Sequence, residues 1–274
     1  MLFVRLVITF IFALVLLPGE VRAEQPIFDE MPRWKNGWGF QVLQEYRRES
    51  ELLDGGNTVG SGLEEEIFVA HLQGVYTWEK WIRATAKIPY VISARRESLG
   101  DAGQTVAEES DGFGDATLAI PLKYYFNHDG RSGSWSFVPQ ALVPLGAAGS
   151  NEVYSHLWGG GLSLGYETET YDFHVGGGLG AWFFQAEKPA EVHADLSLGL
   201  NLRGLGSAGH LKWKTHVLVR SDETVTVSAG PTLYYRITDT VHSQIKWMHD
   251  FYDQPGVLDH GKGDSIRVGI GFVF

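Results

Sequence analysis

The sequence predicts an all-β protein, a transmembrane antiparallel up-and-down β-barrel of about twelve strands. Three observations carry that expectation. First, residues 264–274 (DSIRVGIGFVF) alternate strictly, with Ile266, Val268, Ile270, Phe272 and Phe274 set against Ser265, Arg267, Gly269, Gly271 and Val273. Period-two alternation is the strand signal, because successive side chains leave opposite faces. Second, segments upstream repeat the pattern, apolar on one face and polar or small on the other. Third, the connections alternate between long and short, the asymmetry of an outer-membrane barrel. A secreted β-sandwich also alternates, but it gives no reason for that asymmetry or for a last strand ending on Phe. In a barrel, Phe272 and Phe274 would belong to the signal read by the assembly machinery.

The first strand is expected over residues 37–48, with Trp38, Phe40, Val42 and Tyr46 outward and Gln41, Glu45 and Arg47 inward. The second puts Phe68, Ala70, Leu72, Tyr76 and Trp78 outward, and the third Ile82, Ala84, Ala86, Ile88 and Tyr90. The fourth alternates Leu118, Ile120, Leu122, Tyr124 and Phe126 with Asp115, Thr117, Lys123 and Tyr125. Residues 135–145 form the fifth; the sixth carries Trp158, Leu162, Leu164 and Tyr166 outward, and the seventh Tyr171, Phe173, Val175, Leu179 and Phe183. The eighth is the clearest, Val192 to Leu202 against Glu191, His193, Asp195, Ser197, Asn201 and Arg203. Strands near 210–220, 225–237, 241–252 and 264–274 complete the set.

If the first strand rises from the periplasm, the outside connections are loops at 49–66, 94–112, 146–154, 185–190 and 253–263, with a short one at 221–224. The inside ones include tight turns at 79–80, 168–169 and 238–240. Aromatic residues such as Trp38, Tyr76, Trp78, Tyr124 and Tyr166 then fall near strand ends, where girdles meet lipid headgroups.

Residues 1–23 carry Arg5, an apolar run from Leu6 to Leu17, Pro18 and a Val21-Arg22-Ala23 end. This is the pattern of a cleaved secretory signal, too short to span a bilayer; an uncleaved anchor is the alternative. Residues 24–36 read as a periplasmic lead-in and 37–274 as the barrel. The chain has 274 residues, 34 glycines, 13% aromatics and no cysteine, which argues against a lipoprotein or a disulfide scaffold. The formal charge of −11 becomes −12 once Arg5, Arg22 and Glu20 leave with the signal. An acidic total argues against nucleic acid as a partner.

Three motifs occur together and in order: Lys87-Ile88-Pro89-Tyr90-Val91, Gly112-Phe113-Gly114-Asp115-Ala116-Thr117-Leu118, and Lys246-Trp247-Met248-His249-Asp250. They resemble the outer-membrane family named for the MetA pathway of phenol degradation. The resemblance covers most of the chain after the signal. It implies a transport barrel in the outer membrane of a Gram-negative cell, with no catalytic residues to carry over. Val143-Pro144-Leu145-Gly146 departs from the family pattern, where a small polar residue precedes the glycine, so the substrate class stays open.

The expected lumen-lining charges are Arg83, Lys87, Asp115, Lys123, Asp195, Arg203, Lys212, Lys214, Arg236, Lys246, Asp250 and Arg267. Basic groups dominate, and charged rings in a pore select by sign; the alternative is a mutually neutralised plug. Ten histidines raise a metal reading, but alternation alone does not converge three or four ligands at bond length, so no metal or cofactor is expected. A lipid hydrolase needs an outward Ser beside an outward His. His249 and His156 read as outward while Ser265 and Ser155 alternate inward, so no enzyme activity is expected. Pro89, Pro121, Pro139 and Pro144 fall within three consecutive strands. Proline cannot donate to a ladder, so the wall should be weakened there, either by plain bulges or by a lateral opening from lumen to outer leaflet. The leading functional expectation is a channel or uptake barrel for small molecules, aromatic or otherwise apolar solutes among them, with outer-membrane lipid, the assembly machinery and the solute as partners. The alternative is a closed structural or surface-interaction barrel.

Overall fold

The computed structural model describes residues 34–99, 104–128, 131–146, 153–186, 188–202, 209–255 and 259–274; the expected signal, most of the lead-in and Arg203 lie outside them. The elements are β1 (Gly37–Asp54), β2 (Asn57–Glu79), β3 (Ile82–Leu99), β4 (Thr105–Phe113), β5 (Asp115–Ala119), β6 (Leu122–His128), β7 (Arg131–Pro144) and β8 (Gly159–Glu169). They continue with β9 (Phe173–Phe184), β10 (Glu191–Leu202), β11 (Gly209–Arg220), β12 (Val225–Arg236), β13 (Val241–Gln254), β14 (Asp259–Gly261) and β15 (Asp264–Val273). Each pairs antiparallel with its neighbours, and β1 pairs with both β15 and β2, which closes the sheet. Because β4, β5 and β6 are pieces of one crossing and β14 is a short accessory, the wall is a closed barrel of twelve crossings.

The alternation fixes which face is which. Leu164, Phe173, Phe183, Leu198 and Trp213 are exposed on the outside, whereas Gln41, Gln73, Thr77, Arg83 and Ser163 are buried inside. Exposed apolar rows of this extent would cost about 25 cal/mol per Å² in water; hydrocarbon removes that cost, and a closed ladder leaves no unpaired edge within it. The apolar belt ends at one rim in Glu66, Arg48, Asp264 and His249, successive register partners on β2, β1, β15 and β13. Toward the other rim aromatic rings cluster, with Trp38 4.7 Å from Tyr76 and Trp135 4.1 Å from Tyr166.

Two expectations are corrected. The stretches 49–66 and 94–112 are largely strand rather than loop. β1 continues to Asp54 and β2 starts at Asn57, so only Gly55 and Gly56, both at positive φ, make the turn. β2, at 23 residues, is roughly twice the length a spanning strand needs. Acid and glycine disguised these segments, but register pairs such as Glu49↔Glu65 and Arg95↔Glu109 extend the ladder beyond the belt. The fourth crossing, in turn, is interrupted twice, at Gly114 and at Ile120-Pro121.

Candidate functional site

The lumen holds most of the buried polar groups among the described residues, and strand pairing decides which of them meet. On the β1 side Arg267 places Nη2 2.6 Å and Nε 3.0 Å from Glu45, whose same oxygen lies 2.8 Å from His71 Nε2. Arg47 pairs with Glu49 one level higher. Across the barrel Lys123 Nζ donates to Glu167 at 2.6 Å, Ser134 donates to the same carboxylate at 3.0 Å, and His174 lies 3.8 Å away. Lys212 Nζ lies 3.4 Å from His174. Removing one member of such a buried pair leaves the other charge uncompensated, at a cost of about 3–5 kcal/mol.

A second cluster follows β10 and β11. Asp195 lies 2.9 Å from His216, whose other nitrogen lies 3.4 Å from His193, and Glu191 accepts from Arg220 at 3.1 Å. Lys214 and Lys246 are half-buried at inward positions; Lys87 and Asp250 are likewise inward. Arg236 stands exposed at the inner mouth, 4.0 Å from Asp239. Among the described residues no group of three or more His, Asp or Glu could hold a metal ion.

Asp115 organises the mouth. Before β8, Val153 and Tyr154 pack on Ile67, Val69, Val91 and Ala94 of the inner β2–β3 wall. Asp115 accepts the backbone N–H of His156 at 3.1 Å and the Ser155 hydroxyl at 3.4 Å, with His156 Nδ1 3.5 Å from its other oxygen. Lys188 donates to Ser155 at 3.2 Å and sits 3.9 Å over the Phe184 ring. Burial pushes the Lys188 ammonium below its ordinary pKa and the Tyr154 hydroxyl above its own. Gly114 makes this possible: a Cβ there would lie 2.4 Å from the Tyr154 ring. The glycine and the aspartate of the GFGD stretch therefore seat and latch one loop. His156 is corrected from outward to inward, 7% exposed, with φ 52°. It precedes β8, so strand alternation never applied to it. No periodic signal marks Tyr154, Ser155, His156 or Lys188, which lie on connections. His249 does point outward, and its partner is Asp264, 3.1 Å away.

The prolines occupy irregular pairing. Pro89 lies in β3 beside the Gly114 interruption, where its carbonyl accepts from Gly114 N–H at 3.0 Å. Pro121 separates β5 from β6, opposite Pro139, whose carbonyl accepts from Ile120 N–H at 3.1 Å. Pro144 is the last residue of β7. A fifth wall proline, Pro231, stands across the barrel in β12, opposite Trp213. On the lipid side of the Pro121 interruption lies a groove of about 660 Å³ lined by Trp81, Leu122, Tyr124, Trp135, Phe137 and Leu164, with Lys123 and Ser136 beneath.

The family model described as "Putative MetA-pathway of phenol degradation" matches residues 52–268. The chain belongs to that family. Among solved structures, this member of the MetA-pathway family is similar to the COG4313 outer membrane channel from Pseudomonas putida F1. The two share 16% identity and a TM-score of 0.72 over 92% of this chain and 100% of that one. Looser likenesses are the KdgM porin (10% identity, 85% and 99% covered, TM-score 0.44) and the CymD monoaromatic hydrocarbon channel (11%, 88% and 89%, 0.44). No curated protein matches the sequence.

Proposed function

We propose that this protein is an outer-membrane channel that takes up small molecules. The observation that carries the reading is a closed wall with a lipid-compatible exterior around a polar, charge-paired lumen, with residues 153–156 latched inside it to Asp115. A merely structural barrel has no use for a mouth loop seated by a dedicated glycine and aspartate. Aromatic or other apolar solutes are the proposed class, in keeping with the family to which the chain belongs. Basic groups on the inner wall, among them Arg83, Lys87, Lys212, Lys214 and Lys246, favour anions among the ions that pass. Phe272 and Phe274 are proposed as the row read by the assembly machinery.

Purified protein in planar bilayers tests the reading. Resolvable conductance with anion preference is expected, and Lys212→Glu with Lys214→Glu should shift the reversal potential toward cations. No conductance at all would favour the closed structural barrel, and cation preference in the unmodified protein would overturn the charge argument.

A route through the wall is proposed for apolar solutes. The paired interruptions at Pro89 and at Pro121–Pro139 support it, because the ladder there lacks donors that would otherwise hold neighbouring crossings together. The fifth proline, Pro231, weighs on the side of ordinary bulges.

A further inference from the structure

The wall of the barrel is closed, but the sheet that rises beyond it is not. β1 to β4 and the short β14 continue past the apolar belt, and among the described residues β4 pairs with β3 alone. The cause is local. The ladder between the fourth and fifth crossings stops at Asp115↔Pro144, and Ser155 and His156, just before β8, bond to Asp115. Among the described residues, Thr105–Gly112 of β4 therefore form an edge strand, and most of them are exposed. The sheet's other edge, β14, is three residues long and largely buried, so it offers no comparable surface.

An edge strand presents a row of backbone N–H and C=O groups to whatever extended chain can reach it. Charge decides which chain that is. Thr105–Phe113 (TVAEESDGF) carries Glu108, Glu109 and Asp111 and no lysine or arginine. Carboxylates at these positions keep the strand out of lipid. They also disfavour a second copy of itself, since like charges facing each other across a strand pair are destabilising. β3 already meets two of these positions with arginine, Arg96 opposite Glu108 and Arg95 opposite Glu109, and an extended segment bearing lysine or arginine would repeat that match on the other side.

We propose that β4 is a docking edge at which an extended, basic peptide segment adds as a further strand to the extracellular sheet. Main-chain hydrogen bonds supply the pairing, as in other strand-addition complexes, and the three carboxylates supply the sign. The proposal does not rest on the channel reading.

The test uses the full chain in detergent or nanodiscs and three nine-residue fluorescent peptides. One alternates lysine with threonine and valine, one has the same charge with proline at its centre, and one carries glutamate in place of lysine. The first should bind at least ~10-fold more tightly than either control, about 1.4 kcal/mol. Amide exchange should slow at alternate positions within residues 105–113 when it binds. Glu108→Lys with Glu109→Lys should reverse the preference toward the glutamate peptide. Equal binding by the proline peptide would reduce the effect to charge attraction and overturn strand addition. Protection outside β4, no protection, or no binding would overturn it as well, and the exchange measurement on the unmodified protein stands even if the double variant fails to assemble.

Discussion

Gly114→Ala is the sharpest perturbation of the mouth. The added Cβ would fall 2.4, 2.5 and 2.6 Å from Cδ2, Cε2 and Cγ of Tyr154. Non-bonded carbons rest about 3.5–4.0 Å apart, so the ring must retreat by roughly 1 Å or more. Overpacking of this kind costs about 1–3 kcal/mol. The ring can relieve it only by lifting residues 153–156 away from Asp115, which forfeits hydrogen bonds worth about 1 kcal/mol each. At 1.4 kcal/mol per tenfold, the latched state should lose about 10- to 100-fold in population. Single-channel recording reads this as more time at the larger conductance. Tyr154→Ala should open the mouth by itself, and adding Gly114→Ala to it should change nothing further, because the clash has no partner. Unchanged currents in Gly114→Ala, or additive effects in the double variant, would refute the account of glycine and ring as one seat.

Other outcomes follow from the same geometry. Pro89→Ala with Pro121→Ala should restore donors to the wall and slow uptake of an apolar solute into vesicles while ion conductance stays nearly constant; equal loss of both, or of neither, removes the lateral route. Phe274→Asp, at a side chain 74% exposed on the outer row, should lower the yield of heat-modifiable barrel in membranes, and a normal yield would count against its role in assembly. Glu51 accepts from Thr58 at 2.6 Å and Lys262 at 3.0 Å, which hold its carboxyl below the usual 4.5. A depressed carboxylate stabilises above its unfolded pKa and loses that contribution as pH falls through the folded value. Amide exchange near the β1–β2 turn should therefore quicken below about pH 4, and Glu51→Gln should flatten that limb.

The wall could be drawn from alternation alone. Alternation is a local property of an extended chain, and with lipid on one side and a polar lumen on the other it assigns Phe40, Leu72, Leu198 and Ile270 outward without knowledge of any neighbour. It also marked Asp115 as inward and Pro121 as a break, since proline's missing donor is written into the residue. What it could not give was pairing. Whether Glu49 and Arg95 sit in loops or in strands depends on partners many residues away, and acidic, glycine-rich strands outside lipid lose the apolar row that makes strands legible. Tyr154 and His156 lie on a connection without periodicity; their direction is set by the space over Gly114 and the carboxylate of Asp115, which adjoin them only once β5, β7 and β8 are assembled. The edge that β4 forms among the described residues is likewise tertiary, because it depends on the β5–β7 ladder stopping at Asp115↔Pro144.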